Sequence, residues 1–193
     1  MEKNKSLKKF TTGDLHFGHK NIMKYEKIRN FSSIEEMDNY LIKKWNSIVG
    51  KEDHTFVVGD VSFYDDEKTK ECIERLNGFK HLIIGNHDKD RTWQKWIKMG
   101  FNSVQSEIIL DASKDIRFKF CHYPYAGDNS FEGRFIDKRP VKQDSVWLIH
   151  GHMHSQGSKF DEINKQVCVS TELWNFSPVN LDNIMALIRK SKK

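Results

Sequence analysis

Five times along this chain a short apolar run ends in a cluster of glycine, aspartate, asparagine or histidine. Leu7–Thr12 leads into Gly13-Asp14-Leu15-His16-Phe17-Gly18-His19, and Thr55–Val58 into Gly59-Asp60. His81–Ile84 leads into Gly85-Asn86-His87-Asp88, Arg117–Cys121 into His122, and Val146–His150 into Gly151-His152-Met153-His154. Runs of this length and composition read as buried strands. Ligands gathered at the ends of neighbouring strands are how open α/β sheets build their sites. The pattern predicts an α/β fold in which the five clusters meet. On an extended backbone Asp14 and His16, two apart, project to the same face and can share one ion.

Helical patterns separate the runs. Ser33-Ile34-Glu35-Glu36 is a capping-box sequence, and Ile34, Met37, Leu41, Trp45 and Ile48 keep helical spacing as far as Gly50. Asp66 is the expected cap of a second helix carrying Ile73 and Leu76 and ending at Asn77-Gly78. A third is predicted from Asp90 to Met99, with Trp93, Trp96 and Ile97 on its core face. Lys20–Phe31 carries no clear period. Val104–Leu110 and Ile116–His122 read as a β-hairpin, and Ser158–Asp161 and Gln166–Val169 as further strands. A last helix follows Pro178 and Asn180, bearing Leu181, Ile184, Met185, Leu187 and Ile188. No linker or repeat divides the chain, so residues 1–193 are expected to form one domain.

The net charge of +5 is a property of the ends. Residues 1–9 carry +3 and residues 189–193 carry +4, which leaves −2 for the body. A body-wide phosphate-binding face is therefore not expected. No apolar stretch approaches the roughly 20 residues that span a bilayer, and residues 1–9 lack the apolar core of a secretory signal. Cys72, Cys121 and Cys168 are odd in number and widely spaced, as expected of reduced thiols in a cytoplasmic protein.

The set GDLHFGH, GDVSF, GNHD, CHYP and GHMH, in this order over residues 13–154, resembles the calcineurin-like metallophosphoesterase superfamily. The resemblance implies a two-sheet β-sandwich flanked by helices. It implies one metal ion held by Asp14, His16, Asp60 and His154, and a second held by Asp60, Asn86, His122 and His152, with Asp60 bridging. His87 would be the acid or electrostatic helper beside the scissile phosphate, and Asp88 would orient it. The chemistry of the residues agrees. Hydrolysis of a phosphate ester needs a nucleophile at neutral pH and relief of anionic repulsion, which two divalent ions about 3.5–4 Å apart supply. Imidazole, carboxylate and amide oxygen without thiolate suit Mn²⁺ best, with Fe, Zn, Co or Ni as other fits.

Protein Ser/Thr phosphatases of that superfamily continue the second motif with Asp-Arg-Gly, whereas Val61-Ser62-Phe63-Tyr64 follows Asp60 here. The chain is also too short for the added domains of the larger DNA-repair nucleases, and is more similar to short stand-alone bacterial and phage phosphoesterases. His54, His81 and His150 fall outside the motif positions and read as structural, while His19 has either a substrate-facing or a turn-stabilising role. Residues 123–144 interleave Tyr123, Tyr125, Phe131 and Phe135 with Arg134, Lys138, Arg139 and Lys142. Aromatic rings stack bases and guanidinium groups grip phosphates, so Tyr123, Arg134 and Arg139 are candidate substrate contacts. The leading expectation is a dinuclear phosphoesterase acting on a small phosphodiester such as a nucleotide or cyclic nucleotide. A nuclease on DNA or RNA, a phosphomonoesterase and a non-catalytic protein-binding scaffold are the alternatives.

Overall fold

The computed structural model describes residues 7–125 and 135–191. Lys3, Lys5, Lys192 and Lys193 of the basic ends, and Phe131 and Arg134 of the central segment, lie outside the described residues. The chain is a mixed α/β protein with two sheets. The first contains β1 (Lys9–Thr12), β2 (His54–Val58), β3 (Phe79–Ile83) and β4 (Ser103–Gln105) in parallel, with β9 (Val179–Asn180) antiparallel beside β1. The second contains β5 (Glu107–Asp111), β6 (Arg117–Cys121), β7 (Val146–His150) and β8 (Gln166–Cys168), all parallel from β6 onward. Parallel neighbours need long crossovers, and helices supply most of them. Those helices are α1 (Ile22–Tyr25), α2 (Ile34–Asn46), α3 (Asp66–Glu74) and α4 (Trp93–Lys98), with α5 (Leu181–Ser191) closing the chain.

Register is what positions the site. Thr12 lies opposite Val57 and Val58 opposite Ile83, so the first three strands end within a residue of one another and release Gly13, Gly59 and Gly85 close together. In the second sheet Phe120 pairs with Ile149 and His150 with Cys168, which brings His122 and Gly151-His152 out together. Alternation along β2 explains the two cores. Val57 joins Phe10, Leu82, Met37, Leu41, Trp45, Ile73 and Trp96 under the helices. Phe56 and Val58 join Ile83, Phe118, Phe120, Ile149 and Val167 from both sheets, and Ile184 and Ile188 of α5. Phe56 stacks on Phe120 at 4.8 Å between ring centres across this second cluster. Each such fully buried side chain contributes about 1.5–3 kcal/mol.

Several local expectations change in the structure. The run Val104–Leu110 is not one strand: it splits at Ser106, giving β4 to the first sheet and β5 to the second. Ser158–Asp161 forms no strand, only a single bridge from Asp161 to Gln166. Asp65 rather than Asp66 caps α3, accepting from Lys68 N–H at 2.8 Å. Ser33 caps α2 as expected, worth about 1 kcal/mol, but the Glu36 carboxylate reaches back to Ser32 N–H at 2.7 Å. On α4 only Trp96 enters the core; Trp93 and Ile97 are 51% and 45% exposed, because α4 is short and packs along one line. All three cysteines are free and buried. Among the described residues no helix is long and apolar enough to cross a membrane.

Candidate metal centre

The residues that carry the candidate chemistry sit on strained backbone. Asp14 (φ 55°), His16 (54°), Asp60 (55°), His152 (69°) and His154 (48°) all adopt left-handed conformations. Each costs of order 1–3 kcal/mol in a non-glycine residue and persists only where surrounding bonds hold it. Here every one is tied by its own N–H. Asp14 and His16 donate to the Gly59 and Asp60 carbonyls, both at 3.0 Å. Asp60 donates to the Asp88 carboxylate at 2.8 Å, His152 to both Asp14 oxygens at 3.1 Å, and His154 to Ser170 Oγ at 3.1 Å. Asp14 and His16 therefore converge through two left-handed backbone positions, not through strand alternation, which corrects the extended geometry expected for them. Glycine permits the crowding: a Cβ on Gly151 would lie 2.6 Å from Asp14 Oδ2, and one on Gly85 would collide with Asp60 Oδ1.

The seven expected donors are brought together around two carboxylates. Asp14, His16 and His154 offer ligand atoms within 4.8 Å of one another, as do Asp14, Asp60 and His122. Asp60 Oδ2 stands 3.6 Å from His16 Nε2 and 3.5 Å from His122 Nε2. Asn86 Oδ1 lies 2.9 Å from His122 Nε2 and 3.0 Å from His152 Nδ1. His16 Nε2 is buried with no hydrogen-bond partner, an arrangement that costs free energy unless a cation completes it. A carboxylate, imidazole and amide-oxygen set with such an orphaned nitrogen fits divalent ions of the Mn²⁺ and Zn²⁺ kind.

Burial and charge act on these groups in opposite directions. Burial pushes the His16 imidazolium down to about 3, so the ring is neutral, the form that binds metal. Burial also works against ionised Asp60, yet His122, His16 and His87 hold its carboxyl well below the usual range. Burial raises Asp14. His154 reaches about 9: burial opposes its charge, but Asp14 and Glu172 outweigh burial.

Outer partners aim the rings. His122 Nδ1 bonds the Val58 carbonyl at 2.9 Å, leaving Nε2 for the cluster. His154 Nδ1 bonds Glu172 Oε1 at 3.0 Å, and Glu172 is in turn paired with Arg29 Nε at 2.7 Å, both side chains fully buried. Arg29 also donates to the Asp14 and Leu15 carbonyls. Burial alone would raise Glu172, but Arg29 and His154 bring it to about 2. The motif spacing gave no sign of Glu172 or Arg29, which are 143 positions apart. Asp88 does not orient His87. Its carboxylate, pushed up to about 6 by burial and then by Asp60, accepts from the Asp60, Val61 and Gly85 N–H groups at 2.8, 2.9 and 2.8 Å. It holds the loops that carry the donors.

A cavity of about 680 Å³ opens over the cluster, lined in part by His16, His19, Asp60, Phe63, His87, Phe135 and His154. The His87 side chain is 45% exposed there, 4.0 Å from Asp60 Oδ2, and the His87 backbone N–H donates to Asp60 Oδ1 at 2.9 Å. His19 lines the cavity and also bonds His16, Nδ1 to Nδ1 at 2.8 Å, while stacking on Phe63 at 3.8 Å. Tyr123 does not line it. Its ring is buried, edge-on to His122 at 5.2 Å, and its hydroxyl accepts from Lys89 at 3.0 Å. Arg139 is likewise not among the lining residues. His150, bonded to the Gly151 carbonyl at 2.8 Å, stays outside the donor set, and His54 and His81 bond each other at 2.9 Å far along the first sheet.

No family model matches the chain. The uncharacterized protein MJ1445 of Methanocaldococcus jannaschii is 35% identical over 189 residues, spanning 95% of this chain and 92% of that protein. The chain belongs to the same family as MJ1445. The Gene 66 protein of Mycobacterium phage L5 is 33% identical over 198 residues, spanning 92% of each. Among solved structures, the protein of unknown function AQ665 from Aquifex aeolicus superposes with a TM-score of 0.73 over 94% of this chain and 100% of that one. At 22% identity this likeness shows a common fold alone.

For this MJ1445-family chain the Arg29–Glu172 pair makes a measurable claim. Glu172→Gln keeps an acceptor for His154 but removes the charge opposite Arg29. The affinity of the cluster for added Mn²⁺ is expected to fall about 10–100-fold, the usual effect on a metal site of losing such an outer partner. Titration calorimetry reads it; an unchanged affinity would separate the pair from the cluster.

Proposed function

We propose that this chain is a dinuclear metal-dependent phosphoesterase of the calcineurin-like kind, hydrolysing a small phosphodiester. The supporting observation is the placement of the Asp60 carboxylate between the His16 and His122 nitrogens, at 3.6 and 3.5 Å. The two sheets, joined by one apolar cluster with α5 against it and α2–α4 on the other face, are read as that superfamily's sandwich. Asp14, His16, Asp60 and His154 would hold one ion, and Asp60, Asn86, His122 and His152 the other. When bound, the pair supplies Lewis acidity that lowers the pKa of water and offsets phosphate charge.

The chain's own groups do the rest. Asp60 offers two oxygens to two sides, and its Oδ1 fixes the His87 backbone through the 2.9 Å bond. His87, exposed at the cavity and tethered in this way, is the proton donor to the departing alcohol. Phe63 lies 4.8 Å from the His87 ring and 3.8 Å from His19, an apolar wall along the cavity. Chelation is expected to abolish turnover of bis(p-nitrophenyl) phosphate, and Mn²⁺ to restore it better than Mg²⁺ at equal concentration. The nitrogen-rich donor set is the reason. Better rescue by Mg²⁺, or turnover that survives chelation, would overturn the dinuclear site.

A further inference from the structure

Beyond the donors the cavity runs toward α1, and its walls there are not those of a polyanion groove. Among the described lining residues there is no lysine or arginine. Phe63, His19 and Tyr25 form one aromatic wall, with ring centres 3.8 Å apart for Phe63–His19 and 6.5 Å apart for His19–Tyr25. Phe63 and Tyr25 keep 39% and 69% of their surface open. Ile22 and Met153 add apolar lining, and Glu26 and Gln156 are the polar groups beside them.

Glu26 is the informative residue. It is 4% exposed, and its Oε2 accepts a long 3.4 Å bond from Ser155 N–H. A bond of that length is weak, and a buried carboxylate calls for strong donors. Its remaining acceptor capacity is available to a ligand in the cavity.

We propose that this end of the cavity is a subsite for the neutral, ring-bearing alcohol half of a phosphodiester, a nucleoside, with hydroxyl or N–H donors facing Glu26. The proposal rests on the phosphoesterase reading and narrows its substrate. The ring lies along Phe63 and Tyr25, since every base offers a face for stacking. The Glu26 carboxylate would repel a second phosphate, which disfavours nucleic-acid strands and nucleoside polyphosphates. The cavity volume of about 680 Å³ suits a ligand of nucleotide size.

The test compares kcat/KM for thymidine 5′-(p-nitrophenyl phosphate) and its ribo and N3-methyl analogues with bis(p-nitrophenyl) phosphate, using the Mn²⁺-loaded chain. The nucleoside esters are expected to be preferred. Glu26→Gln, nearly isosteric, should cut that preference at least about tenfold, as loss of a charged hydrogen bond does. Loss of the Glu26 effect on N3-methylation places the donor on the base, and a gain on adding the 2′-hydroxyl places it on the sugar. Gln156→Ala, at the exposed end of the 3-10 helix His154–Gln156, serves as a second variant should Glu26→Gln fold poorly. Calorimetric titration with thymidine alone reads the subsite independently of turnover, and weaker binding by the variant is expected. An unchanged preference and unchanged thymidine binding in both variants would overturn the subsite while leaving the esterase intact. A better rate on an oligonucleotide with steep salt dependence would also overturn it. Absence of turnover on every ester, with thymidine still bound, would instead overturn the phosphoesterase.

Discussion

Asp60→Asn is expected to abolish turnover, by at least about 10³-fold, and to lower bound metal from two ions to one or none. With its Oδ1 kept on the His87 N–H, an asparagine turns an NH2 group and no charge toward His16 and His122, where Asp60 presents Oδ2. A carboxylate charge shared by two ions is worth several kcal/mol to the proposed hydrolysis, and each 1.36 kcal/mol is tenfold in rate. The variant should fold, since an asparagine Oδ1 can still accept the His87 N–H that Asp60 Oδ1 accepts at 2.9 Å. Elemental analysis of purified protein, with circular dichroism as the check on folding, decides the matter. Two tightly held ions with retained turnover would remove Asp60 from its proposed place.

His87→Ala should separate proton transfer from metal binding. His87 lies beside Asp60 at 4.0 Å, exposed to the cavity and outside the groups whose ligand atoms cluster within 4.8 Å. Metal occupancy is expected to stay near normal. General acid catalysis typically contributes about 10²–10⁴-fold, so the loss for an alkyl leaving group should fall in that span. For p-nitrophenolate, which departs without a proton, the loss should be distinctly smaller. An equal drop on both would assign His87 to stabilising charge on the phosphoryl oxygens. Loss of an ion would make it a ligand.

Much of the site was legible as a pattern. Five apolar runs ending in Gly, Asp, Asn or His are visible without any contact information, because strand length and terminal polarity are local properties. The same locality explains what went unseen. The run over Val104–Leu110 has nothing in it to say that Ser106 divides two sheets; that depends on where β3 and β6 lie. Trp93 and Ile97 share the spacing of Trp96, yet only Trp96 meets a neighbour that buries it, and its indole donates to the Asp88 carbonyl at 3.2 Å. The superfamily resemblance implied that Asp88 orients His87. The tertiary structure turns its carboxylate to three backbone N–H groups instead.

The sequence by itself determined the alternation of strands and helices, the capped α2, the location of charge at the ends, and the five polar clusters that end the apolar runs. It did so because periodicity, capping and residue chemistry are written in neighbouring positions. Only the tertiary structure decided how Asp14 and His16 are aimed, since their left-handed backbone is held by Gly59 and Asp60 carbonyls from another strand end. It alone supplied the Arg29–Glu172 pair behind His154, and it alone set Glu26 beside an aromatic wall. Those contacts join residues far apart in the chain, and no short-range pattern encodes a distance that the fold creates.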